Sequence, residues 1–268
     1  MSSNPPGKAR QNYPSLRNLV FPLLDIFALM MWGILMLKYW LTGKLYLLIH
    51  PNYFALVVVT GFALLIFAAW RARELLIQVR QIKSGRISPQ PVVQHLTLFP
   101  PGWSSALLLT VAILGLLITP KVFASQTAIE RGLTEAAISS RLQPQAFRGV
   151  SDPSERSLIE WVRTLYVYPE PDAYTGQKVK VQGFVVYPPK MSVQYLLISR
   201  FVITCCAADA YPVGLPVKLT ENRDAYPPDT WLEVEGQMIT ETLDGKRQLT
   251  IEASSIEEIS EPKNPYHY

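Results

Sequence analysis

Residues 53–70, YFALVVVTGFALLIFAAW, form an apolar run without a charged side chain. A helix that crosses about 30 Å of hydrocarbon at about 1.5 Å per residue needs roughly 20 such residues. Two other runs have a similar length, residues 23–41 and 105–123, and their few charged side chains lie near the ends of the runs. Such end charges can reach the lipid headgroups. The sequence therefore predicts three transmembrane helices within a membrane domain of residues 23–123.

Basic residues are distributed unevenly around these runs. The N-terminal tail, residues 1–22, and the connection between the second and third runs are rich in Lys and Arg, whereas the first connection has only Lys44. Because basic loops remain on the cytoplasmic side of a membrane, we expect the tail and the long connection to be cytoplasmic. After three crossings, the rest of the chain would then emerge on the extracytoplasmic side of the cell membrane.

Two alternatives concern the first run and its surroundings. The run could be a cleaved secretory signal, but it is long for one and no small-residue cleavage site of the A-x-A kind follows it. Asp25 and His50 could line a path for a substrate or a proton. Both residues lie near the ends of apolar runs, which favours solvated positions at the membrane interface.

The composition limits the classes of function. The 268 residues are 49% hydrophobic and 17% charged, against about 25% charged residues in soluble domains. The formal net charge is +4, but many basic residues flank the apolar runs, so we expect no nucleic-acid partner. The chain shows no hydrolase triad, Gly-rich phosphate loop or His-rich metal motif. The sequence therefore predicts a protein that is not an enzyme.

The second half of the chain begins with a predicted helical connector, residues 124–174. Residues 127–147 and 151–166 have the pattern of short helices, and the later one begins with the sequence SDP. A serine followed by proline in the first turn is typical of a helix N-terminus, so Ser151 is the expected cap.

An all-β domain is predicted for residues 175–260, followed by a tail of residues 261–268. From residue 176 valines alternate with polar residues, which indicates a half-buried strand. Four later segments show similar strand signals, residues 194–204, 215–219, 231–239 and 248–258. The order of these signals, with the sequences GQKVKVQGFVV and TWLEVEGQM, is typical of an OB-fold, a five-stranded Greek-key barrel. A β-sandwich is the alternative architecture.

The most specific stretch of the second half is SRFVITCCAADAYPVGLPV, residues 199–217. Together with LIEWV at 158–162, GQKVKVQGFV at 176–185 and WLEVEG at 231–236, it resembles the bacterial YcgQ-like membrane proteins of the DUF1980 group. The resemblance extends to the apolar first half, including the sequence HP at residues 50–51. It implies a partner rather than a reaction, namely a multi-spanning permease of the DUF318 class. Some relatives of that class export organoarsenicals, and the resemblance implies no catalytic residues.

The only two cysteines are adjacent, Cys205 and Cys206, so a framework of disulfides is excluded. On a regular strand their side chains would point to opposite faces, and the two sulfurs could not bind one ion. If the chain instead turns after the cysteines, both sulfurs could lie beside Asp209, and this set would suit a soft metal ion or a metalloid. Zinc normally needs three or four protein ligands. The nearest histidine in the sequence, His267, lies in the tail.

Other roles remain open for these residues. The cysteine pair could form a disulfide between neighbours or serve redox chemistry in an oxidising compartment, or it could be purely structural. Asp209 could simply accept hydrogen bonds from backbone amides in a turn, with Arg200 as an ion-pair partner. The leading hypothesis is an accessory subunit of a DUF318-like permease whose extracytoplasmic domain binds a soft metal or metalloid at Cys205, Cys206 and Asp209. The alternative is a membrane-anchored protein that handles thiols or metals without a partner.

Overall fold

The computed structural model describes residues 16–84, 102–133, 152–189 and 191–268. Three sequence predictions fall partly outside these ranges. They are the N-terminal tail as far as residue 15, the connection between the second and third apolar runs from residue 85 to residue 101, and the later part of the helix 127–147 together with its neighbour Ser151. The chain divides into two compact units, the first made of Met1–Leu45 and Asn52–Thr119, the second of Tyr46–Pro51 and Pro120–Tyr268.

The first unit consists of helices. In the described part of the chain these are α1, Leu16–Leu41, α2, Phe54–Lys83, and α3, Trp103–Leu117. Two stretches are long and apolar enough to cross a membrane, Leu19–Leu41 and Pro51–Ile82, whereas α3 has only 15 residues. Membrane-spanning character is thus supported for two helices, and a third crossing stays a prediction.

Helix α3 ends at Leu117 and not at residue 123, where the apolar run ends. Pro120 explains the difference, because proline lacks the amide donor of an α-helix and disfavours helical geometry in the residue before it. The free carbonyls at the end of α3 receive donors from α1. The Lys38 ammonium donates to the Leu116 carbonyl at 2.8 Å, and the Tyr39 hydroxyl donates to the Gly115 carbonyl.

Close packing joins α1 to α2. A Cβ atom added to Gly33 would lie 2.8 Å from the Leu65 side chain and 3.0 Å from the Gly61 carbonyl oxygen. Small residues of this kind let helix backbones approach closely, which is common in membrane helix pairs. In the N-terminal half of α1, Asp25 accepts a hydrogen bond from the Ser105 hydroxyl of α3.

Two α-helices precede the strands of the second unit, α4 at Ser125–Glu130 and α5 at Leu158–Val167. The start of α5 differs from the prediction, because Ser157 caps it and not the serine six residues earlier. The Ser157 hydroxyl accepts from the Glu160 amide, and the Glu160 carboxylate accepts from the Ser157 amide, which forms a capping box. Asp152 and Pro153 of the predicted start instead belong to a separate 3-10 turn, in which Asp152 is the cap.

The described residues of the second unit contain six strands in one sheet. Their bounds are β1 Lys178–Val186, β2 Tyr195–Val202, β3 Tyr211–Lys218, β4 Trp231–Leu243, β5 Lys246–Glu258 and β6 Tyr266–His267. The order in the sheet is β1-β4-β5-β3-β2-β6, and β1 also pairs with β2. Strands β3 and β5 are parallel neighbours, as are β2 and β6, and the other pairs are antiparallel. Burial alternates along the first half of β1, as the alternating sequence pattern predicts, whereas β2 and β3 are buried along most of their length.

Two groups of buried side chains hold this unit together. The larger group places Ile159, Trp161 and Val162 of α5 against the inward residues of β1 to β5. The smaller group, which we call the aromatic core group, combines aliphatic side chains with the aromatic rings around Phe201, and Phe184 stacks on Phe201 at 5.6 Å between ring centroids. Its last member is Tyr266, which is only 2% exposed. Residues 261–268, which the sequence predicts to be a tail, therefore contain a strand and a core residue.

Candidate functional site

The two cysteines lie just after β2, in the connection that leads to β3. Strand β2 ends at Val202, and a 3-10 turn at Ala207–Asp209 precedes β3. The chain therefore leaves the regular strand before it reaches Cys205. Of the two geometries left open by the sequence, the structure has the one in which the chain turns after the cysteines.

This turn brings the two sulfur atoms together. The Sγ atoms of Cys205 and Cys206 are 3.6 Å apart, and both thiols are free. Cys205 is exposed and Cys206 is partly buried. With a carboxylate oxygen of Asp209, the two sulfurs form a set of three potential ligand atoms within 4.8 Å of one another. We call Cys205, Cys206 and Asp209 the dithiol loop.

Asp209 organises the dithiol loop through its carboxylate. It accepts hydrogen bonds from the backbone amides of Cys205, at 2.8 Å, and Cys206, at 3.1 Å, and from the Thr204 hydroxyl. Partial burial opposes the ionisation of this carboxyl group, but these hydrogen bonds outweigh it and lower its pKa. The carboxylate thus stabilises the turn, which is one of the two roles expected for Asp209. Both of its oxygens already accept hydrogen bonds.

Arg200 does not pair with Asp209 among the described contacts. Its guanidinium donates to the Asn264 carbonyl at 3.0 Å and lies over the Trp231 ring, 5.6 Å from the ring centroid. Burial of the arginine lowers its pKa. The expected ion pair is therefore wrong, because Arg200 is directed to the C-terminal segment and not to the turn.

The charge of Asp209 has a direct effect on the neighbouring thiol. A hydrogen bond to that carboxylate, together with the Cys206 thiol and partial desolvation, raises the pKa of Cys205 to about 11. A thiolate beside a carboxylate would place two negative charges together, which is unfavourable. Cys205 is consequently a protonated thiol at neutral pH, and its raised pKa is the opposite of what an activated nucleophilic cysteine requires.

A segment from the first half of the chain completes the surroundings of the dithiol loop. Tyr46–Pro51 belongs to the second unit, and Ile49 pairs with Cys206 as an antiparallel bridge. The His50 amide donates to the Cys205 carbonyl at 3.0 Å, and the Ala207 amide donates to the carbonyl of residue 48 at 2.8 Å. Sequence reasoning missed this segment, because a single long-range bridge leaves no periodic pattern in a sequence.

The C-terminal histidine takes no part in the dithiol loop. His267 pairs with Val202 in the sheet, and its carbonyl accepts from the Ile203 amide at 2.9 Å. Burial and the nearby cations Arg200 and Arg163 lower the pKa of His267 to about 4, although Glu160 acts in the opposite direction. His267 is therefore a neutral, structural side chain at physiological pH, and the set of potential ligands in the described residues does not include it.

Comparison with protein families agrees with the resemblance seen in the sequence. Residues 154–268 match the family described as the DUF1980 C-terminal domain. The match includes α5, all six strands and the whole dithiol loop. No curated protein matched the sequence. Residues 154–268 are therefore similar to the DUF1980 C-terminal domain, which supports the predicted resemblance to the DUF1980 family, and we call this part of the chain the DUF1980 domain.

Proposed function

We propose that this protein is a membrane-anchored, non-enzymatic accessory subunit of a multi-spanning, DUF318-like permease. In this proposal α1, α2 and α3 lie in the cell membrane with the N-terminus in the cytoplasm, and the DUF1980 domain faces the extracytoplasmic side. The dithiol loop of that domain binds a soft metal ion or a metalloid. The two long apolar helices and the basic residues that follow Trp70 in α2 support the membrane part of the proposal.

The pairing of the strands supports an OB-like barrel for the domain. Strand β1 pairs with β4 on one side and with β2 on the other, over Phe184↔Ser199 to Val186↔Leu197. The pairings therefore run from β1 through β4, β5, β3 and β2 back to β1. A closed five-stranded order of this kind is the arrangement of a small Greek-key barrel, in which no strand edge among these five is left unpaired.

The approach of the two sulfur atoms carries the ligand part of the proposal. Sulfurs 3.6 Å apart on consecutive residues can both bind one thiophilic centre. The exposure of Cys205 leaves a path from solvent. Since a metal ligand must be a thiolate, binding would release protons, and the charge of the ion would offset the effect of Asp209 on Cys205.

Cadmium binding to the full chain in mild detergent tests the ligand part. We expect reduced wild-type protein to bind one Cd²⁺ per chain, with an ultraviolet charge-transfer band from thiolate ligands. The variants Cys205→Ser and Cys206→Ser should each lose the band. A matched control is Ser254→Ala, which changes a hydroxyl on β5 outside the dithiol loop. Wild-type protein that binds no Cd²⁺, or serine variants that bind it as tightly, would refute the ligand part.

Co-purification tests the partner. The tagged chain, extracted from membranes with mild detergent, should bring a multi-spanning permease with it in a constant ratio. Purification of the chain alone in repeated preparations would contradict an accessory role. A reporter fused to Tyr268 tests the orientation, because an enzyme active only outside the cytoplasm should be active at this position.

A stand-alone thiol oxidoreductase is less well supported by the site. Redox-active cysteines usually have a lowered pKa, whereas the pKa of Cys205 is raised. The close sulfurs remain compatible with oxidation to a disulfide between neighbouring residues. Slow alkylation of Cys205 at pH 7 in native membranes is the result expected here, and rapid alkylation of Cys205 would favour the redox alternative.

A further inference from the structure

The connection between α1 and α2 is unusually well anchored for a short link between helices. Helix α1 ends at Leu41 and α2 begins at Phe54. In the middle of this connection lies Tyr46–Pro51, which belongs to the same compact unit as the DUF1980 domain. We call Tyr46–Pro51 the anchor segment. Its contacts are with the dithiol loop on one side and with the C-terminal segment on the other.

Backbone hydrogen bonds attach the anchor segment to the dithiol loop. The His50 amide donates to the Cys205 carbonyl at 3.0 Å, and the Ala207 amide donates to the Leu48 carbonyl at 2.8 Å. Between these two bonds Ile49 lies directly opposite Cys206. In an antiparallel pair of this type the Cα atoms are about 4.5 Å apart. Both peptide units that carry the thiols are therefore held by this short stretch.

Side chains fix the anchor segment at its other contacts. Leu47 is 6% exposed and belongs to the aromatic core group around Phe201. The Tyr268 hydroxyl donates to the Tyr46 carbonyl at 2.8 Å, and the His50 and Tyr268 rings meet edge to face with centroids 5.1 Å apart. The segment is thus packed as part of the domain, not as a solvent-exposed loop.

We propose that the anchor segment is an integral part of the dithiol site. The segment holds the two sulfurs in their paired geometry, and it is itself held more firmly when the two sulfurs are bridged. This inference rests on the proposed function, and its ligand is the same soft metal ion or metalloid. Coupling between two elements is reciprocal. A ligand that favours the paired sulfurs must therefore stabilise the anchor segment, and an intact anchor segment must favour the ligand.

The consequence concerns the membrane helices through the chain itself. The anchor segment is covalently continuous with α1 and α2, with four residues between Leu41 and Tyr46 and two between Pro51 and Phe54. Occupancy of the dithiol loop would therefore be sensed in the connection between these two helices. This gives an accessory subunit a route from an extracytoplasmic ligand to its membrane part.

A single substitution can remove one anchoring bond, because a proline ring occupies the position of the amide hydrogen and cannot donate it. Ala207→Pro removes the amide that donates to Leu48, at the first position of a 3-10 turn, where the backbone angle of proline is tolerated. The preceding Cys206 already has the extended angles φ −153° and ψ 171° that a following proline requires. Ala207→Ser is the matched control, since it keeps the amide. Tyr268→Phe independently removes the bond at the other end of the segment.

Thiol cross-linking of the full chain in detergent measures the sulfur geometry without any metal. Dibromobimane becomes strongly fluorescent when its two arms react with two nearby thiols. We expect Ala207→Pro to slow cross-linking about fivefold, the change expected for the loss of one typical hydrogen bond. Ala207→Ser should react at the wild-type rate. Equal rates in Ala207→Pro and wild type would overturn the inference that the segment holds the sulfurs.

Amide hydrogen exchange measures the reciprocal effect. Peptides that cover residues 46–51 should exchange about fivefold faster in Ala207→Pro and in Tyr268→Phe, and severalfold more slowly in cross-linked wild-type protein. Exchange that is unchanged by both variants and by the cross-link would overturn the inference. Because neither measurement uses a metal, a failure to bind Cd²⁺ would refute the proposed ligand alone.

Discussion

Replacing Tyr266 with alanine should destabilise the whole DUF1980 domain, although this residue lies almost at the C-terminus. Its side chain is 2% exposed, and its ring packs on Phe123 and Phe201 with centroids 5.6 Å and 6.2 Å away. Its hydroxyl accepts a hydrogen bond from the Phe123 amide at 3.1 Å. Removal of a buried aromatic side chain costs about 3–5 kcal/mol, of which the hydrogen bond accounts for about 1 kcal/mol.

Hydrogen exchange of the full chain provides the assay, with peptides from strand β2, which pairs with β1, β3 and β6. Because about 1.4 kcal/mol corresponds to a tenfold change, Tyr266→Ala should speed exchange there by about a hundredfold or more. Tyr266→Phe keeps the ring and loses only the hydrogen bond, so it should speed exchange about fivefold. Tyr168→Ala is the control, because Tyr168 is 58% exposed. An effect of Tyr266→Ala below tenfold, or one matched by Tyr168→Ala, would refute the assignment of Tyr266 to the core.

Three further results are expected. Asp209→Asn removes the charge that raises the pKa of Cys205, so the pKa of that thiol should fall by about one unit or more. Iodoacetamide should then alkylate Cys205 faster at pH 8. An unchanged pH profile of alkylation would contradict this expectation. Burial keeps the pKa of His267 near 4, below its ordinary value of 6.5. The unfolded chain therefore binds the proton first, and stability should fall as the pH drops from about 6.5 to 4, with a weaker fall in His267→Gln by denaturant titration. Gly183→Ala would place a Cβ atom 2.5 Å from a carbonyl oxygen of β2 and should cost about 2 kcal/mol in the same titration, whereas no loss would mean that the strands can separate locally.

Features with a local pattern could be predicted from the sequence. The helices α1 and α2 follow from long apolar runs, and β1 follows from valines that alternate with polar residues. The end of α3 was predicted too late because apolar character continues past Leu117. There the backbone restriction that Pro120 imposes outweighs hydrophobicity.

Features that depend on distant partners could not be predicted. The two-residue strand β6 is too short to show a period, and the burial of Tyr266 depends on Phe123, far away in the sequence. The identity of the dithiol residues was clear from the sequence, but their geometry was not. It depends on the hydrogen bonds that Asp209 accepts from both cysteine amides and on the bridge to Ile49.

The length of α2 has a consequence for how it can lie in a bilayer. Its 30 residues make a rod of about 45 Å, whereas the hydrocarbon layer is about 30 Å thick. Full immersion would require an inclination of almost 50°, beyond the range of about 0–40° observed for membrane helices. In the proposed membrane topology, the end that carries Arg71, Arg73 and Arg80 therefore projects into water as a positively charged helix end. Such a helix end is suited to contact the anionic headgroups of the leaflet it leaves.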